Sequence, residues 1–185
     1  MTWSIRALTG LGVAAFAMLA VACGSGTSNS AAKASPSPSK AALITSVDAC
    51  SLVSAADASA AAGATVVNLA AASGTQIPGA CIYGNQDTQA SVFVYAQAYP
   101  DLTTAQSISP DQMAAVLRGQ YGITDAKSVT GIGDKAFEYT ATSGSGIVIF
   151  VFKANVVMFI AVSPTTDSTK VEALARMAVG NLPKA

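Results

Sequence analysis

The sequence predicts a single α+β domain, in which helices pack on a mostly antiparallel sheet of about five to six strands. Three observations predict it. Residues 91–99 alternate between two sets of side chains, as a β-strand does. Residues 147–152 and 156–162 are two apolar runs joined by a tight turn. Helix start and stop signals occur three times, and the predicted order is helix, three strands, helix, three strands, helix.

The first helix is predicted over Ala55–Ala62. Ser54, with Asp57 three positions later, approximates a capping box at its start. Alanine is the strongest helix former, and Gly63 is a natural stop.

Three strands are predicted next, beginning with residues 65–69 and residues 81–83. The third has the clearest alternation in the chain. It places Phe93, Tyr95 and Tyr99 on one face and small or aliphatic residues on the other.

The second helix is predicted to begin at Pro110. Ser109 is its expected N-cap, and Gln112 is expected to complete a capping box. A glycine-rich turn over residues 131–134 then leads into a strand over residues 136–140.

The last two strands, residues 147–152 and 156–162, are apolar on both faces, so both of their faces should be covered. The final helix is predicted from about Asp167 to Val179 and is ended by Gly180.

Residues 1–22 have the layout of a bacterial lipoprotein signal peptide. Arg6 precedes an uncharged apolar run, and the run ends at Cys23 in a sequence that resembles a lipobox. Cys23 is therefore the expected acceptor of lipid. An ordinary secretory signal cut after Ala22, or an uncleaved anchor, remains an alternative. The expected organisation is a signal peptide (1–22), an acylated cysteine with a disordered Ser/Pro/Ala-rich tether (23–46), and an extracytoplasmic domain (47–185).

The cysteine count agrees with export. Cys23 is assigned to the anchor, which leaves Cys50 and Cys81 as an even set in an oxidising compartment. A Cys50–Cys81 disulfide is predicted, and two buried free thiols are the alternative.

Composition argues against several classes of function. The ten basic and ten acidic side chains give no basic surface for nucleic acid. The chain has no histidine, which removes histidine-based catalytic triads and most transition-metal sites. We therefore expect no cofactor, no metal and no enzymatic activity, with a histidine-independent hydrolase as a minor alternative.

Several short motifs together resemble the uncharacterised, mycobacterial-type envelope lipoproteins of actinobacteria that carry a domain of unknown function. The motifs are the Cys23 lipobox, the tether, Asp48–Val53, Cys81–Tyr83 and Gly131–Phe137. The resemblance implies a lipid-anchored extracytoplasmic domain with a disulfide, and it supplies no catalytic residues.

The expected function is that of a non-enzymatic binding or accessory module, held at the cell membrane by its lipid anchor. Phe93, Tyr95 and Tyr99 form a candidate apolar binding surface for an envelope protein or an apolar ligand, and plain core packing beneath a helix is the alternative. A carrier that holds a lipid or other apolar molecule between sheet and helices is the second functional hypothesis.

Overall fold

The structure is a computed structural model of the 185-residue chain, and it describes residues 42–69, 71, 74, 77–124, 126–142 and 146–184. The predicted signal peptide, Cys23 and most of the predicted tether lie outside the described residues. Helices whose full extent is described are α1 (Ala49–Leu52), α2 (Ala55–Ala62), α3 (Leu102–Ser107), α4 (Pro110–Tyr121) and α5 (Ser168–Gly180).

The strands in the described part of the chain form one antiparallel sheet of seven strands, in the order β1-β2-β3-β7-β6-β5-β4. They are β1 (Val67–Asn68), β2 (Ala80–Asn85), β3 (Ala90–Ala98), β4 (Lys127–Val129), β5 (Lys135–Thr140), β6 (Ile147–Lys153) and β7 (Val156–Ser163). The α+β class with an antiparallel sheet is as predicted, but the count of five to six strands is wrong. The missed strand is β4, which has only three residues and no apolar alternation to reveal it.

The capping predictions had opposite outcomes. At α2 the box is complete: Asp57 N donates to Ser54 Oγ and Ser54 N donates to Asp57 Oδ2, each over 3.2 Å. At α4 the N-cap is Ser109 as predicted, but its side chain makes no capping hydrogen bond, so the predicted box is wrong. Pro110, whose ring presets the helical φ angle, stands at the start of that helix.

One face of the sheet packs against α1, α2 and α5 and forms the main core. We call it the aliphatic face, because its strand residues are mostly aliphatic. Its members with no more than 1% exposure include Val92, Val94, Ile149, Val151, Met158, Ile160 and Val162. Val171, Leu174, Ala175 and Ala178 are the residues of α5 that pack into it, and they follow the spacing of one helix face.

Helix α1 is tied to the sheet by covalent and polar links. A disulfide joins Cys50 to Cys81 on β2, which is the pair expected from the sequence. The hydroxyl of Tyr83 donates to the carbonyl oxygen of Val53, and Asn181 Nδ2, just after α5, donates to the carbonyl oxygen of Leu52 over 3.0 Å. These links fix α1, and through it the end of α5, to one face of the sheet.

A buried asparagine fixes the start of the domain. The side chain of Asn155, in the β6–β7 turn, accepts from Ile44 N over 3.0 Å and donates to Ile44 O over 2.8 Å. Its amide also donates to Tyr99 O over 2.6 Å. Ile44 is itself buried, so the packed domain begins before Val47 and takes in part of the segment that the sequence assigned to the tether.

Candidate binding surface

The face of the sheet opposite the aliphatic face is lined by aromatic rings, and we call it the aromatic face. Its aromatic side chains are Phe93, Tyr95, Phe137, Tyr139, Phe150, Phe152 and Phe159. The pairing of strands places these rings beside one another: Tyr95 lies opposite Phe159, and Phe137 lies opposite Phe150. The aromatic face thus collects rings from β3 and from the three later strands β5, β6 and β7.

The rings contact each other in a continuous series across the sheet. Phe93 meets Phe159 edge to face with ring centroids 5.6 Å apart, and Phe159 meets Phe150 at 5.0 Å. Phe150 in turn meets Tyr139 edge to face at 5.6 Å. Such contacts add about 0.5–1.5 kcal/mol each to the burial of the rings.

Helices α3 and α4 cover the aromatic face unevenly. Tyr139, Phe150 and Phe152 are at most 3% exposed and share a cluster with Ala105 of α3 and Ala114 of α4. Toward β2 the burial falls. The half-buried side chains there are Ile82, Phe93, Tyr95 and Phe159, which we call the open strip. The open strip is an apolar, aromatic surface between a covered core and the exposed edge of the sheet.

Two tyrosine hydroxyls and an amide border the open strip. Tyr95 donates to Gln97 Oε1 over 2.7 Å, and Tyr99 donates to the same oxygen over 3.3 Å. Burial raises the pKa of Tyr99 above its ordinary value, and the electrostatic interaction with Tyr95 adds to this, so the hydroxyl of Tyr99 stays neutral at physiological pH. Gln97 itself is exposed.

The structure places the three predicted surface residues on one side of the sheet, with different surroundings. Phe93 and Tyr95 lie in the open strip, whereas Tyr99 packs beside the cluster under α3 and α4. The sequence analysis missed Ile82 and Phe159, the other two members of the open strip. The membership of Ile82 depends on the register of the β2–β3 hairpin, which its turn sets. That of Phe159 depends on the register of β7 against β3, which are far apart in sequence and carry no local signal of it.

Clefts at the surface of the described residues include two near the start of the domain and the β6–β7 turn. One has a volume of about 600 Å³ and lies between residues 47–50 and residues 77–80, beside the disulfide. The other has a volume of about 390 Å³ and is lined by Gln106, Asp134, Lys135, Phe152 and Ala154. Both are open to solvent, and their lining residues do not include the open strip.

The displaced carboxyl pKa values in the described residues have structural explanations. A hydrogen bond from Lys153 and a second from the backbone of Ala154 lower the pKa of Asp134 below its ordinary value. Hydrogen bonds from Thr104 lower the pKa of Asp101, which caps α3. Both shifts favour the ionised form, and a general acid at neutral pH needs the opposite shift. No group of three or more metal-ligating side chains occurs in the described residues.

Two buried polar atoms lack a hydrogen-bond partner among the described residues. One is the hydroxyl of Tyr139, beneath α4 on the aromatic face. The other is Glu138 Oε2, on the opposite face of β5. The second carboxylate oxygen of Glu138 lies 3.7 Å from the ammonium of Lys127. Burial is the largest cause of the raised pKa of Tyr139, which keeps its hydroxyl protonated.

This chain resembles a solved extracellular domain but matches no family model. No protein-family model matches the chain, and no curated protein sequence matches it. Among solved structures, the crystal structure of the extracellular domain of PknH from Mycobacterium tuberculosis is similar, with a TM-score of 0.46 and 14% sequence identity. The match covers 73% of this chain and 94% of that one. At this TM-score the likeness carries no argument about function or location. None of the helices in the described ranges combines the length and the apolar character that crossing a bilayer requires.

Proposed function

We propose that this protein is a lipid-anchored, extracytoplasmic envelope protein that acts as a non-enzymatic binding or accessory module. The observation that carries the proposal is the open strip, where Phe93, Tyr95 and Phe159 remain half-buried while the rings beside them are covered. Aromatic side chains with a polar border are typical of surfaces that bind another protein. The open strip would therefore be the contact surface for an envelope partner.

The anchor and the location are supported by the cysteines. Cys23 ends the predicted signal peptide, and acylation with two or more chains holds a protein at a membrane firmly. The Cys50–Cys81 disulfide fits an oxidising compartment. Exchange of Cys23 for alanine tests the anchor.

The variant Cys23→Ala is expected to leave the membrane fraction, whereas the unaltered protein stays there until detergent is added. If washing without detergent releases both proteins equally, Cys23 is not acylated. Metabolic labelling with a fatty-acid analogue gives an independent readout, because the label should appear on the unaltered protein and not on the variant.

A photo-crosslinking amino acid tests the open strip as a contact surface. Placed at Phe93 in cells that make the protein, it should give a discrete higher-mass adduct with an envelope protein. Ala173 is the matched control, because it is exposed on α5 in the opposite layer. Adducts of the same pattern from both positions, or none from Phe93, would contradict the proposed surface.

The second candidate function is a carrier of an apolar molecule, and the hydroxyl of Tyr139 favours it. This hydroxyl lies between the sheet and α4 without a partner among the described residues, where a polar group of a ligand could satisfy it. Native mass spectrometry of the purified protein distinguishes the two candidates. A copurified mass that is lost on denaturation would favour the carrier, and a bare protein mass would leave the surface module.

A further inference from the structure

The chain enters the folded domain at one end of the sheet. The amide of Asn155 holds the backbone of Ile44 on one side and the carbonyl oxygen of Tyr99 on the other. Tyr99 N also donates to Asn155 O over 2.7 Å. We call this the entry end, defined by Ile44, Tyr99 and Asn155. Because Asn155 is fully buried and bonded to both neighbours, the position of entry is fixed relative to the sheet.

Exposed apolar side chains lie at the same end. In the described residues the large apolar side chains with the greatest exposure are Val67 at 54%, Ile77 at 49%, and Leu102 and Met177 at 37% each. Leu102 begins α3 only three residues after Tyr99. Ile77 precedes β2, whose first residues lie beside the end of β3, because Ala96 N donates to Gly79 O over 2.9 Å. Ile77 and Leu102 therefore flank the place where the chain enters.

Val67 provides an internal contrast, because it lies toward the opposite end. Its partner in the register is Gly84, and Gly84 in turn pairs with Ser91 near the start of β3. Tyr99 lies beyond the other end of that strand. Val67 therefore lies away from the entry end, although it is the most exposed large apolar side chain of the described residues.

We infer that the entry end rests on the lipid surface to which the protein is anchored, with Ile77 and Leu102 in the interfacial layer. This inference rests on the proposed acylation of Cys23. About 20 residues separate Cys23 from Ile44, and if this predicted tether is a random coil its mean reach is about 25 Å. A tether this short gives the membrane a local concentration in the millimolar range. A contact between the entry end and the membrane that is too weak to bind a free protein is then formed by the anchored protein.

The charges at the entry end favour an apolar contact over an electrostatic one. Lys153 pairs with Asp134 over 2.8 Å, and Asp101 accepts the hydrogen bonds that cap α3. The ammonium of Lys135 stands 4.6 Å from the ring centroid of Phe152. Asp48 lines the cleft beside Ile77, so the entry end has no surplus of basic groups and the contact should not require anionic lipid.

Single-tryptophan reporters test this inference. Trp3, the one tryptophan of the chain, lies in the predicted signal peptide, so a processed protein has no background emission. The processed, acylated variants Leu102→Trp, Ile77→Trp and Val67→Trp are reconstituted in phosphatidylcholine vesicles with and without brominated acyl chains. Bromine quenches a tryptophan that enters the interface. Emission at positions 102 and 77 should fall at least about twofold, because interfacial side chains lie about 5–10 Å into the headgroup and acyl boundary. Emission at position 67 should be unchanged.

Flotation of the same vesicles tests the lipid anchor independently of the contact at the entry end. If the proteins float but no position is quenched, or all three are quenched equally, the entry end does not rest on the lipid and the anchor stands. If the proteins do not float, the acylation is wrong and the inference falls with it. Two reporters at the entry end guard against one variant that fails to fold.

Discussion

The two faces of the sheet are made by the same strands and are covered in different ways. On the aliphatic face, α1, α2 and α5 bury Val92, Val94 and Ile160 completely. On the aromatic face, α3 and α4 bury Tyr139, Phe150 and Phe152 and leave the rings of β3 half-buried. The difference shows that a strand with apolar side chains on both faces does not bury both faces equally. The cover on each face is decided by elements distant in sequence.

The disulfide is expected to have the largest effect on stability, and it acts on the aliphatic face. The double variant Cys50→Ala with Cys81→Ala should lose roughly 3–4 kcal/mol of unfolding free energy, the chain-entropy value for a loop of about 32 residues. Urea denaturation measures the loss. A reducing agent should destabilise the unaltered protein and leave the double variant unchanged. If the intact masses with and without reduction are identical, the bridge is absent.

Two isoleucines compare the faces with the side chain held constant. Ile160 is fully buried on the aliphatic face, and Ile82 is half-buried in the open strip. Ile160→Ala should cost about 3 kcal/mol, because it leaves a cavity in a closed core. Ile82→Ala should cost about half of that, since it removes less apolar area from contact. Equal losses in urea denaturation would show that the open strip is as well covered as the core.

Two asparagines allow the same comparison of buried and partly exposed sites for side-chain hydrogen bonds, with the buried one at the entry end. Asn155→Ala leaves the backbone groups of Ile44 and Tyr99 unpaired in a buried place, with an expected cost of about 2 kcal/mol. Asn85→Ala also removes side-chain hydrogen bonds to the backbone, but at a half-exposed site, and should cost about 1 kcal/mol or less. Hydrogen exchange at the Ile44 amide should quicken in the first variant only. Unchanged exchange there would mean that Asn155 does not hold the entry segment.

The smallest effect is expected from Asp134, at the surface. Its pKa is lowered in the folded protein by Lys153 and Ala154, so its contribution is present above the unfolded pKa and is lost as pH falls through the folded one. Its side chain is 55% exposed, so the contribution should stay below about 1 kcal/mol. The difference in unfolding free energy between the unaltered protein and Asp134→Asn should therefore narrow as the pH falls below about 4, where the unfolded carboxyl begins to bind protons. Asp87→Asn, in the exposed β2–β3 turn, is the control, and an identical narrowing there would contradict the assignment.

The sequence predicted correctly those features that depend only on residues close together in the chain. The capping box of Ser54 and Asp57 and the alternation of β3 need only neighbouring residues, and the structure contains both. Short elements escaped: α1 has four residues and β4 has three, too few to show a period. Ser109 has the sequence of a capping box without its hydrogen bond, so a motif alone does not settle the geometry of a helix start.

The sequence by itself determined the α+β class, the cysteine pair and the residues of β3 that share a face. These follow from the periodicity of apolar residues and from the number of cysteines, which do not depend on where each strand lies in the sheet. Only the tertiary structure decided that Ile82 and Phe159 join Phe93 and Tyr95, and that α3 and α4 leave these four side chains half-covered. The physical reason is that the register of a sheet and the seating of a helix are set by contacts between residues far apart in the chain.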